Sequence, residues 1–288
     1  MNRPPSLAGP HDRGPVDWAQ AELPDAWPDR LPWRRLAHPW RVALAVKRKQ
    51  ARRVVLPEGM PGSEVLPKYL LQEFHNLPNG NYSKSITGGY ARAFDAVMLW
   101  TMQRARRQIA ERLRGSRRAL DIGSGAGNLA RALLDAGIPE VVALEPSPYL
   151  LRISARRNPR ARCVQGVIES SGLPDGHFDG AGACFVFHEV PPPAADKALK
   201  ELHRLLVPGG TLAVVEPSPE QWYSTRREMW RAHGWRGVYF RELALRVHEP
   251  FVKSWHRRDP RQWLEAGGFR FEEQVDEMPW RMLVARRP

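Results

Sequence analysis

The stretch ALDIGSGAGNLARAL, residues 119–133, decides the fold. Its apolar opening, ending at Asp121–Ile122, reads as a buried strand; Gly123–Ser124–Gly125–Ala126–Gly127 turns the chain, and a helix follows at once. Glycines there let the backbone turn tightly and approach a ligand, while the helix start offers free N–H groups. Glu145 closes the next apolar run, VVALE, 20 residues after Gly125. A carboxylate at that place can accept hydrogen bonds from both hydroxyls of a ribose. The dinucleotide fingerprint G-x-G-x-x-G would need glycine at position 128, which is Asn128. Asp121, at the mouth of the loop, would repel a pyrophosphate and suits a cation instead. Taken singly, Asp121 reads equally as a capping residue and Glu145 as an ordinary strand-end acid. Their joint spacing around the glycine loop favours ligand binding.

Outward from this segment, short apolar runs alternate with helical stretches. Strands are expected at 118–122, 140–145, 161–165, 178–187, 210–216, 268–276 and 280–286, and helices at 126–136, 147–157, 194–206 and 259–266. Residues 89–114 lack proline and carry Phe94, Val97/Met98, Met102, Ile109 and Leu113 at helical spacing, predicting one further helix. Such alternation implies a mostly parallel sheet covered on both faces. The last two strands are separated only by Glu277 to Pro279, which permits an antiparallel hairpin and no parallel crossover. The expected fold is therefore α/β: a Rossmann-like, seven-stranded, mostly parallel sheet with helices on both faces and a C-terminal antiparallel hairpin.

DIGSGAG resembles the glycine-rich first motif of the class I S-adenosylmethionine (SAM)-dependent methyltransferases, in particular the small-molecule branch that includes the ubiquinone/menaquinone C-methyltransferases. VVALEPS (141–147) is similar to that family's acidic second motif, VQGVIESSGLPDGHFD (164–179) to its third region, and LKELHRLLVPGGTLAVVEP (199–217) to its post-motif. The resemblance runs from about residue 86 to 288, with the four blocks in order. It implies SAM across the carboxyl ends of the first strands, with S-adenosylhomocysteine as product. Asp121, Gly123, Ser124 and Gly125 would border the methionine end, with Glu145 and Pro146 at the ribose. Val167, Ile168, Phe187 and Tyr90 are the further expected cofactor contacts. One departure stands out: many relatives carry Asp after the glycine of the third region, where this chain has Val167, so adenine would rest on backbone groups and on Val167 and Ile168.

Methyl transfer is an in-line displacement whose leaving group the cofactor supplies, so the protein mainly aligns acceptor and donor and excludes water. The end of the fourth strand, FVFHEVPPP, offers His188 as the candidate base or acceptor-orienting group and Glu189 as an acceptor contact; a strand-end histidine bonded to a neighbouring carbonyl is the competing reading. The run FHNLPNGNYSKSITGGYARAFD (74–95) is expected to fold over the cofactor, with Tyr82 and Tyr90 as lid residues and Phe94–Asp95 matching an aromatic–Asp pair of similar enzymes. Residues 218–267, with Trp222, Trp230, Trp235, Trp255 and Trp263, are expected to form an acceptor-binding cap, contributing Trp222 and His248, with His233 and Glu249 as further contacts. That aromatic density suits an apolar or ring-bearing acceptor, although domain packing would also use it.

The net charge of +13 is uneven: residues 1–118 carry 21 Lys and Arg against 10 Asp and Glu, whereas residues 119–288 carry 23 against 21. Residues 1–67 hold 11 of the 27 prolines together with Trp18, Trp27, Trp33 and Trp40, and read as a basic N-terminal extension that packs on the domain of 68–288 or on something else. LAHPWRVALAVKRKQARR (36–53) is a candidate short basic helix, and with it a peripheral membrane or acidic partner enters consideration. The excess of arginine, 37 against 7 lysines, is equally compatible with a solvated basic surface. No stretch nears the roughly 20 apolar residues of a membrane span, and the N-terminus has no secretory h-region, so a cytoplasmic protein is expected. Cys163 and Cys184, 21 residues apart, suit neither zinc nor a disulfide framework; no metal site is expected. Three functions stay open: a small-molecule methyltransferase, an RNA methyltransferase using the basic arm, and a non-catalytic scaffold on the same fold. Nucleic acid ranks low because the fourth strand ends in FHEVPP and lacks the N/D-P-P-aromatic pattern of many nucleic-acid amine methyltransferases.

Overall fold

The computed structural model describes residues 16–31 and 53–288. The candidate basic helix of 36–53 therefore lies, Arg53 apart, outside the described residues. Seven strands form one sheet: β1 (Arg118–Ile122), β2 (Glu140–Glu145), β3 (Arg162–Gln165), β4 (Phe178–Cys184), β5 (Leu206–Pro217), β6 (Arg270–Asp276) and β7 (Trp280–Arg286). Their order is β3-β2-β1-β4-β5-β7-β6. β1 to β5 are mutually parallel, and β7 runs antiparallel to both β5 and β6. The mostly parallel sheet with a terminal hairpin is as the sequence implies.

Strand alternation divides the core in two. Leu120, Ile122, Val142, Leu144, Leu212, Val214 and Leu283 face one layer. Ala119, Val141, Ala143, Ala213, Val215, Met282 and Val284 face the other. Because both faces are covered, the strands read as continuous apolar runs rather than as alternating ones. Helices α1 (Lys84–Val97), α2 (Thr101–Arg112), α3 (Asn128–Asp135), α4 (Pro148–Arg157), α5 (Pro192–Leu205), α6 (Glu220–Tyr223), α7 (Arg226–Ala244), α8 (Val252–His256) and α9 (Pro260–Ala266) complete the fold.

Two local expectations are corrected. The helix expected over 89–114 is two, α1 and α2, because Leu99 (φ 48°) and Trp100 (φ 62°) adopt left-handed backbone between them. Neither glycine nor proline marks the break. Asp95 holds it: its backbone carbonyl accepts from Trp100 N–H at 2.7 Å. Its carboxylate also accepts from Arg106 Nη1 at 3.0 Å, tying the two helices across the corner. The strand expected over 178–187 ends at Cys184. Phe185 turns left-handed (φ 62°), and the N–H groups of Val186, Phe187 and His188 go to the carboxylate of Glu216 at 3.0, 2.7 and 3.1 Å.

The described part of the proline-rich extension packs on the domain. Leu23 joins Val54, Met60, Tyr82 and Tyr149 in a third apolar cluster. Asp29 caps α1 from outside, accepting from Lys84 N at 3.0 Å and Ser85 N at 2.7 Å. Orphan N–H groups at a helix start favour such an acid.

Candidate active site

In an open parallel sheet the crevice lies beyond the carboxyl ends of the strands, where the order reverses. β1 is that point here, with β2 and β3 on one side and β4 on the other. The glycine loop leaves β1 with Gly123 at φ 57° and Gly125 at φ 53°. At Gly123 a Cβ would meet Val186 Cγ2 at 2.9 Å, so only glycine lets the loop pass the end of β4. At Gly125 the nearest atom to a built Cβ is Gly123 O at 4.0 Å, leaving the space above the loop open.

Both carboxylates around the loop are buried and held by backbone donors. Asp121 accepts from Ala130 N in α3 at 2.8 Å. Glu145 accepts from Gly125 N and from Ser147 N, each at 2.9 Å, so the end of β2 pins the glycine loop directly. Burial pushes the Asp121 carboxyl up to about 8; the Ala130 N–H pulls it down less than that, and the nearby Glu145 carboxylate adds to the rise. Burial likewise pushes Glu145 up to about 7 against its two backbone hydrogen bonds. Two raised carboxyls at one crevice favour a ligand that brings positive charge.

The cavity runs from the loop to the lid stretch. Asp121, Gly123, Ser124, Gly125, Glu145, Pro146, Val167 and Ile168 line one end, with Tyr82, Tyr90 and Glu189 elsewhere on its wall. These are eleven of the positions singled out from sequence. Phe187 is not on the wall: it turns into the core, with its ring 5.8 Å from Trp255 and 5.1 Å from Trp263. Trp222 packs on the edge of His256 at 4.9 Å, away from the cavity. The other tryptophans of 218–267 divide between the core (Trp255, Trp263) and the surface (Trp230, Trp235), so the aromatic density of this segment serves packing and exterior, not the cavity wall. His233 pairs with Glu220 at 2.8 Å. His248 contributes its carbonyl, which accepts from His75 N at 3.1 Å. Asp95 is turned to Arg106, and it is Arg106 and Phe94 that reach the cavity.

His188 is fully buried and lies behind the wall. Its Nδ1 is 2.7 Å from Glu216 Oε2, and its Nε2 faces Glu189 Oε1 at 3.9 Å and Glu249 Oε1 at 3.7 Å. His75 Nε2 meets the same two carboxylates, at 3.0 and 3.5 Å. Burial works against protonating either histidine, but the facing carboxylates outweigh it: His75 is pushed up to about 10 and His188 well above the ordinary value. Sequence reasoning missed His75, Glu169, Tyr69 and Cys184, which also line the cavity or its rim. Glu169 had a local signal, an acid two residues past Val167; His75 had none, since its partners lie more than a hundred residues away.

Hydrogen-bonding capacity is left over along the wall. Ser124 Oγ, Asn81 Oδ1 and Glu169 Oε2 line the cavity, are buried, and have no partner among the described residues. Unpaired buried polar atoms are costly and native proteins keep few of them, so these three, with His75 Nδ1 as a fourth around the same crevice, fit a polar ligand that supplies the missing partners. A ligand with sugar hydroxyls, a purine amine and a cationic group matches the donors, acceptors and carboxylates present.

The chain is similar to known proteins over part of its length. Residues 120–214 match the family described as a methyltransferase domain. The chain is 31% identical over 137 residues to an uncharacterized methyltransferase of Mycobacterium tuberculosis, covering 48% of this chain and 54% of that one. It is 39% identical over 109 residues to the demethylmenaquinone methyltransferase of Thermus thermophilus, covering 36% and 48%. The chain thus spans about half the length of the curated relatives it matches. Among solved structures, a SAM-dependent methyltransferase of Thermotoga maritima, described as a possible histamine N-methyltransferase, aligns with TM-score 0.48 at 19% identity over 71% of this chain and 97% of that one. Residues 120–214, which contain DIGSGAG, are thus similar to a methyltransferase domain over about a third of the chain.

Proposed function

We propose that this chain transfers the methyl group of S-adenosylmethionine to a small apolar or aromatic acceptor, such as a lipid, a quinone or another ring-bearing metabolite, held in the same cavity. The observation that carries the reading is the convergence of Asp121, the Gly123–Gly125 loop and Glu145 on a crevice with unmet hydrogen-bonding capacity. SAM brings a sulfonium methyl with its own leaving group. Asp121 and Glu145 hold the cationic donor end and the ribose, while Ser124, Asn81 and Glu169 offer polar contacts to the remainder. Phe74, Tyr82, Tyr90, Phe94 and Phe185 add aromatic surface to the wall, which favours an acceptor with a flat apolar body. The relationship to a demethylmenaquinone methyltransferase supports the same acceptor class.

Calorimetric titration with SAM is the first test. Asp121→Asn and Glu145→Gln should each weaken binding by more than about tenfold, roughly 1.4 kcal/mol. Unchanged affinity in both variants would remove the site assignment. Incubating an extract with isotopically labelled SAM, read by mass, then identifies the acceptor; label found only in RNA would replace the small-molecule reading. Among the described residues no helix is long and apolar enough to cross a membrane. Attachment of the basic extension to an anionic surface is proposed alongside, with retention on anionic vesicles as its measurement.

A further inference from the structure

Beside the cavity, three segments far apart in sequence bring three ligand-type atoms together. His75 lies in the turn Phe74–Asn76, His188 in the turn Phe187–Glu189, and Glu249 between α7 and α8. One donor atom from each of these three side chains falls within 4.8 Å of the others. Glu189 Oε1 lies beside this trio, 3.0 Å from His75 Nε2 and 3.9 Å from His188 Nε2. We propose that His75 Nε2, His188 Nε2 and Glu249 form a three-residue binding site for a divalent transition-metal ion of the zinc class, with the fourth position open.

The spacing fits a metal ion as well as it fits an ion-pair cluster; the buried, unpartnered His188 Nε2 favours the ion. Nitrogen and oxygen ligands about 2.0–2.2 Å from a tetrahedral ion stand roughly 3.3–3.5 Å apart. Glu249 Oε1 stands 3.5 Å from His75 Nε2 and 3.7 Å from His188 Nε2, the latter longer than a hydrogen bond, and all three ligand atoms lie within 4.8 Å of one another. His188 Nε2 is fully buried, aimed between the two carboxylates, and without a hydrogen-bond partner. On the far side of the same ring, Nδ1 donates to Glu216 Oε2 at 2.7 Å, and that carboxylate is itself held by three backbone N–H groups. A carboxylate behind one ring nitrogen places the lone pair on the other and orients it, which is the usual outer support of a metal-bound histidine.

The backbone is shaped to the same end. His75 sits at φ 55°, an uncommon conformation for a residue other than glycine, and its N–H donates to the carbonyl of His248, next to Glu249. Tyr90 stacks on its ring at 5.7 Å and Phe185 packs edge-on to His188 at 5.6 Å, so both imidazoles are fixed before any ion arrives. Two imidazoles with carboxylates suit zinc, iron, cobalt or nickel better than magnesium or calcium. His75 and Glu189 line both the site and the cavity, so the fourth position opens toward the acceptor. An acceptor hydroxyl at the open position would find Glu189 beside it to take its proton; this last step rests on the methyl-transfer reading, whereas the metal site does not.

The test uses chelator-stripped full-length protein without SAM, titrated with Co2+ and, in competition with a chromophoric chelator, with Zn2+. One equivalent should bind, and Co2+ should give the visible bands of a four-coordinate nitrogen and oxygen site. His75→Ala and Glu249→Gln should each weaken binding by about a hundredfold or more, and Glu216→Gln by about ten- to a hundredfold through loss of orientation. His233→Ala, at the surface pair with Glu220, should leave it unchanged. Circular dichroism melts identify any variant that fails to fold, and the isosteric Glu249→Gln decides if His75→Ala does. Wild-type protein binding Co2+ and Zn2+ no better than Glu249→Gln overturns the proposal. Calorimetry with SAM on the same samples separates the two readings: metal binding without SAM binding defeats only the methyl-transfer reading, and the reverse defeats only this one.

Discussion

If SAM binds as proposed, its affinity should rise steeply with pH across neutrality, because the donor's positive end would then meet an ionised Asp121. In the free protein burial holds that carboxyl at about 8. A group titrating there is ionised in only about 3% of molecules at pH 6.5 and in about 76% at pH 8.5. If binding selects the ionised form, the dissociation constant should fall by about 25-fold over that interval, close to 2 kcal/mol. Glu145, at about 7, adds to the lower part of the curve. The sign is opposite for the stability of the free protein. The folded-state pKa of Asp121 lies above its ordinary 3.8, so its contribution is fully present below about 3.8 and is lost as pH rises through about 8. Saturating SAM should therefore raise the melting temperature more at pH 8.5 than at pH 6.5. Titration calorimetry at both pH values, repeated in two buffers of different ionisation enthalpy, reads both the affinity and the protons released. Asp121→Asn should flatten the curve. A wild-type affinity independent of pH, with no proton release, would refute the assignment of these carboxyls to the cationic donor.

Two further outcomes follow from the packing. Gly123→Ala puts a Cβ 2.9 Å from Val186 Cγ2 at a left-handed position, which should lower stability by at least about 1–2 kcal/mol and abolish SAM binding; denaturant unfolding and calorimetry measure the two effects, and a stable variant with wild-type affinity would show that the loop tolerates a side chain. Glu216→Gln replaces an acceptor of four hydrogen bonds by an amide that must turn an NH2 toward one of the donors, which should destabilise the protein by roughly 3 kcal/mol; urea unfolding with a loss under 1 kcal/mol would mean that the turn of 185–188 is held by other contacts.

Much of the fold is legible along the chain because its determinants are local. A β-strand, a glycine turn and a helix start follow one another within 119–133, and the acid at 145 closes the next strand at a fixed distance. Positions lining the donor end of the cavity came from that run for the same reason. The break between α1 and α2 was hidden because it depends on an Asp95–Arg106 contact across the corner rather than on a residue with its own backbone preference. The tryptophans of 218–267 could not be sorted from sequence, because an aromatic side chain carries the same composition signal whether it fills a core, as Trp255 and Trp263 do, or lies at the surface, as Trp230 and Trp235 do.

Local order in the sequence determined that a glycine loop and two acids would meet at the carboxyl edge of a parallel sheet, since strand period, turn chemistry and helix start are set by near neighbours. Only the tertiary structure decided that His75, His188, Glu189 and Glu249 would converge beside it. Their nearness arises from three chain segments closing over one sheet edge. No spacing in a one-dimensional sequence encodes a contact between residues 75 and 249, because the intervening chain is folded away by the core that the strands build.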